Sequence, residues 1–380
     1  MKIVFICGSI EPGKDGVGDY TRRLAGEMIR QGYKASILSI NDKDVTNSCE
    51  EVQEDYGTKI QTLRLPSNKN YSQKIESAKE FVELINPDWL CLQYVPFSFH
   101  PKGLHFGLAD MLTKIGKGRK WHIMFHELWC GMQCNVSIKV KLLGWLQKCL
   151  IRLTFIKLKP LVVLTNIAYY QIQLNKIGIL AKLVPVFGNI SLTNNVTDEE
   201  WCFFLDANQL KYIFEKKENI MLVGFFGTIY KIPGFNKLLK NLIDYSIKKD
   251  KRIFFLVIGN NIDSNIEKLV NQSENINIIK IGFLSEGILN KVLLSTDFGI
   301  MTTTANGLNK SGSALAWVER GIPLLVSGDD LFYDESEMRI LGIYQIKTVE
   351  DIDDVLLLHR HLKNNDRLKY SVQSYLEIMI

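Results

Sequence analysis

No uninterrupted apolar run in this chain approaches the ~20 residues that a membrane-crossing helix needs. The longest candidate, Leu142 to Leu164, is broken by Lys148, Arg152, Lys157 and Lys159. A secretory leader is not expected, because Met1 and Lys2 are followed by only five apolar residues before Gly8. Charge of one sign is not concentrated either. A net charge of +5 over 380 residues does not argue for nucleic acid. Paired cysteines are missing: the seven present are an odd number, scattered, and fit reduced thiols in a cytoplasm better than a disulfide framework. His126, Cys130 and Cys134 are spaced four apart and would share one face of a helix. Zinc takes four ligands and no fourth is evident, so no metal is expected. No short repeat or low-complexity tract is visible.

What is present is the profile of a globular protein, 46% hydrophobic and 23% charged, long enough for two domains. Short apolar runs alternate with amphipathic ones. Strands are expected at 2–7, 34–40, 60–65, 88–95, 121–127 and 161–165, and helices at 20–31, 73–85, 104–115 and 139–155. The theme returns with strands at 219–227, 252–259, 276–282, 297–303 and 323–328. Nearly all-apolar strands alternating with helices indicate parallel sheets covered on both faces. The expected architecture is α/β, with two doubly wound Rossmann-like domains facing a cleft. The expected boundaries are 1–185 for an acceptor-side domain and 186–218 for the connection. A donor domain follows at 219–350, then a helical segment at 351–380 that packs back on the first domain.

Ligands of such sheets bind beyond the carboxyl ends of the strands, so the loops there are the place to look. The first, "CGSIEPGKDGVGDYTRRL", carries Gly8, Gly13, Gly16 and Gly18 but no G-x-G-x-x-G fingerprint. Glycines let backbone approach a ligand, and Gly16 and Gly18 are expected to do so. Asp19 is expected to cap the first helix or to hold an acceptor hydroxyl. His126 and Glu127, in "FHELW", sit where a strand should end, and the pair suits orienting a sugar hydroxyl or moving a proton. In the second half, "VGFFGTIYKIPGF" offers Gly227, Lys231 and Gly234. The sharpest stretch is "TTTANGLNKSGSALAWVERGIP". Its Lys310, Ser311, Gly312 and Ser313 open a helix with a cation, two hydroxyls and free amides, a cradle for a diphosphate. Ser311 or Ser313 would equally serve as a plain N-cap.

In this order the motifs resemble the GT-B glycosyltransferases, particularly the family-4 (group 1) retaining, nucleotide-sugar-dependent enzymes. The resemblance rests on "GVGDYTRRLAGEMIRQGY", His126, "GFLSEGILNKVLLSTDFGIMTT" and Gly321-Ile322-Pro323. It implies transfer of a sugar from a UDP- or GDP-linked donor to a glycan, lipid-linked or small-molecule acceptor, with retention and no required metal. A role in polysaccharide biosynthesis and a cytoplasmic location follow from the same resemblance. It assigns His126, Glu127 and Asp19 to catalysis. It places Gly16, Gly18, Thr228, Lys231, Phe283, Leu284, Asn309, Lys310, Ser311, Gly312, Ser313 and Glu319 on the donor side. The sequence departs from the family where two glutamates are usual, since Leu308 and Ala316 stand there. Thr228 and Pro233 replace the usual arginine and lysine. Lys310 and Lys231 are expected to supply the missing charge, and Glu319 to reach a ribose. The departures leave two alternatives, a non-catalytic nucleotide-sugar-binding protein of this fold or a nucleotide-sugar epimerase of this fold. The segment 137–160 mixes lysines and arginine with Leu, Trp and Phe. It reads either as a peripheral contact with the inner membrane face or as a covering helix with a basic solvent side.

Overall fold

The computed structural model describes all residues except 133–135, 189, 193–195, 216, 228–233, 260–266, 269, 271–273, 302–310, 327–337, 340–341, 360–365 and 380. The chain divides into two compact units. Unit 1 is Met1–Val186 with Leu368–Ile380, and unit 2 is Phe187–Arg367.

Unit 1 is built on an eight-stranded sheet in the order β3-β4-β2-β1-β5-β6-β7-β8. Its strands are β1 (Lys2–Cys7), β2 (Lys34–Asp42), β3 (Cys49–Asp55), β4 (Thr58–Pro66), β5 (Trp89–Tyr94), β6 (Lys120–Phe125), β7 (Val162–Thr165) and β8 (Lys182–Leu183). All pairs are parallel except β3 with β4. Strand β3, "CEEVQED", escapes an apolar pattern search because it is an edge strand rich in acids, and such charge discourages edge-to-edge association. The helices are α1 (Gly16–Arg30), α2 (Tyr71–Ile85), α3 (Pro96–Phe99), α4 (Leu108–Ile115), α5 (Ile138–Leu158) and α6 (Ala168–Asn175). One sheet face packs Val4, Ile6, Leu92, Tyr94, Phe81 and Leu112 into a continuous core.

Unit 2 carries a six-stranded parallel sheet, ordered β11-β10-β9-β12-β13-β14. Its strands are β9 (Ile220–Phe226), β10 (Arg252–Ile258), β11 (Ile276–Gly282), β12 (Phe298–Ile300), β13 (Leu324–Val326) and β14 (Ile343–Gln345). Its helices include α7 (Asp198–Ala207), α8 (Lys211–Glu215), α9 (Phe235–Lys249), α10 (Glu286–Leu294), α11 (Gly312–Glu319) and α12 (Glu350–His359). Separate apolar layers cover the two faces.

Two boundaries differ from the sequence reading. The stretch expected as a connection, 186–218, belongs to unit 2 from Phe187 onward. Its Leu205, Leu210, Ile213 and Phe214 pack with Leu222 and Leu256, so α7 and α8 each lay one side on an apolar layer of unit 2. The terminal segment is split. Helix α12 stays with unit 2, where Tyr245 Oη donates to Asp353 at 2.9 Å. The last helix, α13 (Arg367–Met379), joins unit 1 from Leu368, and its Ser371 hydroxyl donates to Pro185 O at 2.8 Å.

Candidate functional site

In unit 2 the strand order reverses beside β9, so the crevice between the carboxyl ends of β9 and β12 is where a ligand of this fold class sits. One side chain fixes the helix there. Trp317 of α11 is fully buried, and its indole lies on two glycines that face each other across β9 and β12, Gly224 and Gly299. A Cβ at Gly224 would stand 2.2 Å from the ring, and one at Gly299 2.6 Å. The bare backbone lets α11 press flat on the sheet, and its start is thereby set beside the crevice.

That start is Ser311-Gly312-Ser313. Ser311 is the N-cap, its hydroxyl accepting from Ala314 N at 3.2 Å, and the two serine hydroxyls are 3.0 Å apart. The amides of Gly312 and Ser313 fall in the first turn, where no carbonyl of the helix can receive them. Next to Ser313 is Gly227, φ +90°, whose absent Cβ would come within 3.4 Å of the Ser313 Cβ. Gly259 (φ +96°) and Gly282 (φ +78°) end β10 and β11 in the same left-handed conformation, which only glycine adopts without strain. Three neighbouring strands therefore end on a shelf without side chains. The signal in the sequence is the repeated pattern of an apolar strand followed by glycine, which marks Gly259 and Gly282 as well as Gly227.

Of the other residues expected on the donor side, Phe283 follows β11 directly and is 83% exposed. Leu284 packs instead against the apolar layer. Thr228, Lys231, Asn309 and Lys310 lie outside the described residues. Glu319, expected to reach a ribose, has a structural bond of its own. It is the last residue of α11, about 10 Å along the helix from its start. It is buried, and its Oε1 accepts from Gly188 N at 2.7 Å. Its neighbour Arg320, also buried, donates to Asn290 Oδ1, Ala316 O and Ser191 O. Both charges fasten the far end of α11.

In unit 1 the loop after β1 is held by a buried carboxylate. Asp42 accepts from the Ser9 hydroxyl (3.2 Å), Ile10 N (3.3 Å) and Arg64 Nε (2.9 Å). Burial acts to raise its pKa, but the bonds and charge of Arg64 outweigh that and hold the carboxyl below its ordinary range. The glycines of this loop divide by role. Gly18 has Ser9 O 2.4 Å from where a Cβ would stand, so α1 rests directly on the loop backbone. Gly16 faces open space, with nothing within 4 Å. Asp19 is not the cap that the sequence suggested. The helix begins earlier, and Asp15 caps it through Val17 N and Gly18 N. Asp19 instead accepts from Gly13 N at 3.1 Å and is paired with Arg22, which ties the loop back to the helix.

Strand β6 ends at Phe125, so His126 and Glu127 are the first residues beyond it. The His126 ring is buried, with Nε2 2.8 Å from Gln93 Oε1 and in a T-shaped contact with the Tyr20 ring, centroids 4.7 Å apart. Residues 127–132 form no helix, so the helical face that would align His126 with Cys130 does not exist, and Cys134 lies outside the described residues. On the same sheet face His122 sits fully buried against Tyr375 of α13, and neither ring nitrogen has a hydrogen-bond partner among the described residues. In the sequence His122 carries no signal of its own, because it stands within an apolar strand.

Burial, and secondarily His126, pushes the His122 pKa down to about 3. The unfolded chain takes up this proton near the ordinary value of about 6.5, the folded chain only near 3. Its stabilising neutral state is thus complete above about pH 6.5, and stability falls as the pH drops from there towards 3, by up to about 5 kcal/mol. His122→Phe is expected to keep stability at pH 7 and to flatten the decline in the urea midpoint between pH 7 and 4. An unchanged slope would exclude His122 as its source.

No family model matches this sequence, and no curated protein sequence matches it. Solved structures do match. A glycosyltransferase from Rickettsia africae ESF-5 aligns with a TM-score of 0.59 at 14% identity, over 100% of this chain and 97% of that one. UDP-GlcNAc 2-epimerase from Neisseria meningitidis, bound to UDP-GlcNAc, aligns at 0.54 and 10% identity over 100% and 99%. The catalytic domain of starch synthase IV from Arabidopsis thaliana, bound to ADP and acarbose, aligns at 0.53 and 12% over 100% and 98%. At such identities the likeness speaks of fold: the chain is α/β, with two parallel-sheet Rossmann-like domains that match GT-B structures over its full length.

Proposed function

We propose that this protein is a glycosyltransferase that moves a sugar from a UDP- or GDP-linked donor to a hydroxyl of a glycan, lipid-linked or small-molecule acceptor. In that reaction the bond from the anomeric carbon to the diphosphate oxygen breaks and a bond to the acceptor oxygen forms. The acceptor proton is lost and the nucleoside diphosphate leaves. The observation that carries the reading is the start of α11. Two hydroxyls and the first-turn amides stand over a glycine shelf at a switch point, which suits a diphosphate. Helix amides supply the positive end without a bound cation, so no metal is assigned. The exposed Phe283 ring at the end of β11 is a platform for the nucleobase. On unit 1, His126 and Glu127 are the proposed sugar-side groups, with the His126 ring oriented by Gln93 and Tyr20.

A nucleotide-sugar epimerase is the second reading. The alignment with the Neisseria enzyme supports it, whereas the absence of glutamates at 308 and 316 speaks for a non-catalytic nucleotide-sugar-binding protein. One experiment separates the two. Nucleoside diphosphate release from a panel of nucleotide sugars that requires an acceptor marks a transferase. Interconversion of nucleotide sugars without acceptor marks an epimerase, and binding without either reaction marks a non-catalytic protein. In the same assay Ser313→Ala is expected to weaken UDP or GDP binding roughly 10- to 100-fold, the range for one bond to a charged oxygen. Unchanged affinity would remove the start of α11 from the donor site.

A further inference from the structure

Helix α5 has two apolar faces, and the fold uses only one. Gly144, Gln147, Leu150, Ile151, Thr154 and Leu158 are buried towards unit 1. The opposite side exposes Ile138 (83%), Leu142 (60%), Trp145 (56%), Leu153 (41%) and Ile156 (60%). At 3.6 residues per turn these five fall within about 80° of arc, a continuous stripe along the whole 21-residue helix. Scattered exposed apolar residues are ordinary on a protein surface, but a stripe in register is not.

The charges on this helix select what covers the stripe. Helix α5 contains Lys139, Lys141, Lys148, Arg152 and Lys157 and no acidic residue. Lys157 is paired with Asp110 of α4, and Lys148 lies over the Trp129 ring. Lys139, Lys141 and Arg152 are exposed and make no ion pair among the described residues. By the same helical geometry Lys141 and Arg152 border one edge of the stripe, and Lys139 borders the other. Two copies of this chain meeting through the stripe would set cation against cation. A surface of negative charge with an apolar interior satisfies both features. The indole of Trp145, apolar in body with one N–H, suits the boundary between headgroups and acyl chains.

We infer that the outer face of α5 docks the protein flat on an anionic lipid surface. Ile138, Leu142, Trp145, Leu153 and Ile156 enter the acyl boundary, and Lys139, Lys141 and Arg152 meet lipid phosphates. No helix among the described residues is long and apolar enough to cross a membrane, so α5 lies on the surface. The inference stands apart from the assignment of glycosyl transfer.

The test is co-sedimentation of the full chain with vesicles of phosphatidylcholine, with and without phosphatidylglycerol. Binding is expected only to the anionic vesicles, and it should weaken as salt rises. Each cation near such a surface contributes about fivefold in affinity, so Lys139→Glu, Lys141→Glu and Arg152→Glu together should lower binding by at least roughly a hundredfold. Trp145→Gln with Leu142→Gln should abolish it, while Leu84→Gln, an equally exposed residue on α2, should leave it unchanged. Circular dichroism establishes that each variant is folded. No binding to anionic vesicles by the folded parent would overturn the inference. So would binding that survives both sets of substitutions, or a concentration-dependent dimer that Trp145→Gln dissolves.

Discussion

Trp317→Ala is expected to remove about 3–5 kcal/mol of stability and, with it, nucleotide binding. The indole is fully buried between α11 and the sheet, on the bare backbone of Gly224 and Gly299. Removing it leaves a cavity that neither glycine can fill. It also frees α11 from the position that holds Ser311, Gly312 and Ser313 beside the ends of β9 and β12. Gly224→Ala approaches the same contact from the other side. Its Cβ would stand 2.2 Å from the ring, and because the near atoms are the rigid indole, the helix has to move. Overpacking of this kind costs about 1–3 kcal/mol. A urea titration gives the stability, and calorimetry with UDP or GDP gives the binding. The two variants should lose affinity together, although neither touches the proposed diphosphate. If folded Gly224→Ala binds nucleotide like the parent, the position of α11 does not set the donor site.

The second large effect separates two glycines that lie two residues apart. Gly18→Ala should disrupt unit 1, since its Cβ would meet Ser9 O at 2.4 Å and Ile10 Cα at 3.0 Å, both backbone atoms. Neither can rotate away. Relief requires α1 to lift from the loop, against the bonds that Val17 N and Gly18 N donate to Asp15 and that Ile10 N donates to Asp42. Gly16→Val should do the reverse. Nothing lies within 4 Å of its absent Cβ, and it has no positive φ, so the fold should survive. If backbone at Gly16 approaches a ligand, the isopropyl group occupies that space, and turnover should fall by at least about tenfold at unchanged melting temperature. Equal melting temperatures for both variants would contradict the packing account of Gly18. A fully active Gly16→Val would reduce the loop to a turn.

The alternation of strands and helices was legible in the sequence because buried parallel strands are apolar throughout. The runs at 2–7, 219–227 and 252–259 match β1, β9 and β10 to within a residue or two. Composition and patterning also singled out Ser311-Gly312-Ser313, because a hydroxyl N-cap followed by a helical run is a local signal. Tertiary structure decided the rest. Strand β3 exists because β4 supplies its hydrogen bonds, and its own acidic pattern does not announce it. The helices at 198–215 joined unit 2 because Leu205 and Phe214 found an apolar layer far along the chain. Asp15 rather than Asp19 caps α1 because the helix starts earlier than its apolar periodicity shows. The bond that Glu319 accepts from Gly188 N, 131 residues away in the chain, has no local signal at all. The meaning of each glycine was likewise hidden. The same residue type is a floor for Trp317 at Gly224 and Gly299, a helix contact at Gly18 and open space at Gly16. Spacing along a chain determines which residues share a helix face or a strand face. Which distant backbone or side chain then meets that face is set by the packing of whole elements, and that is where buried charges and bare glycines acquire their roles.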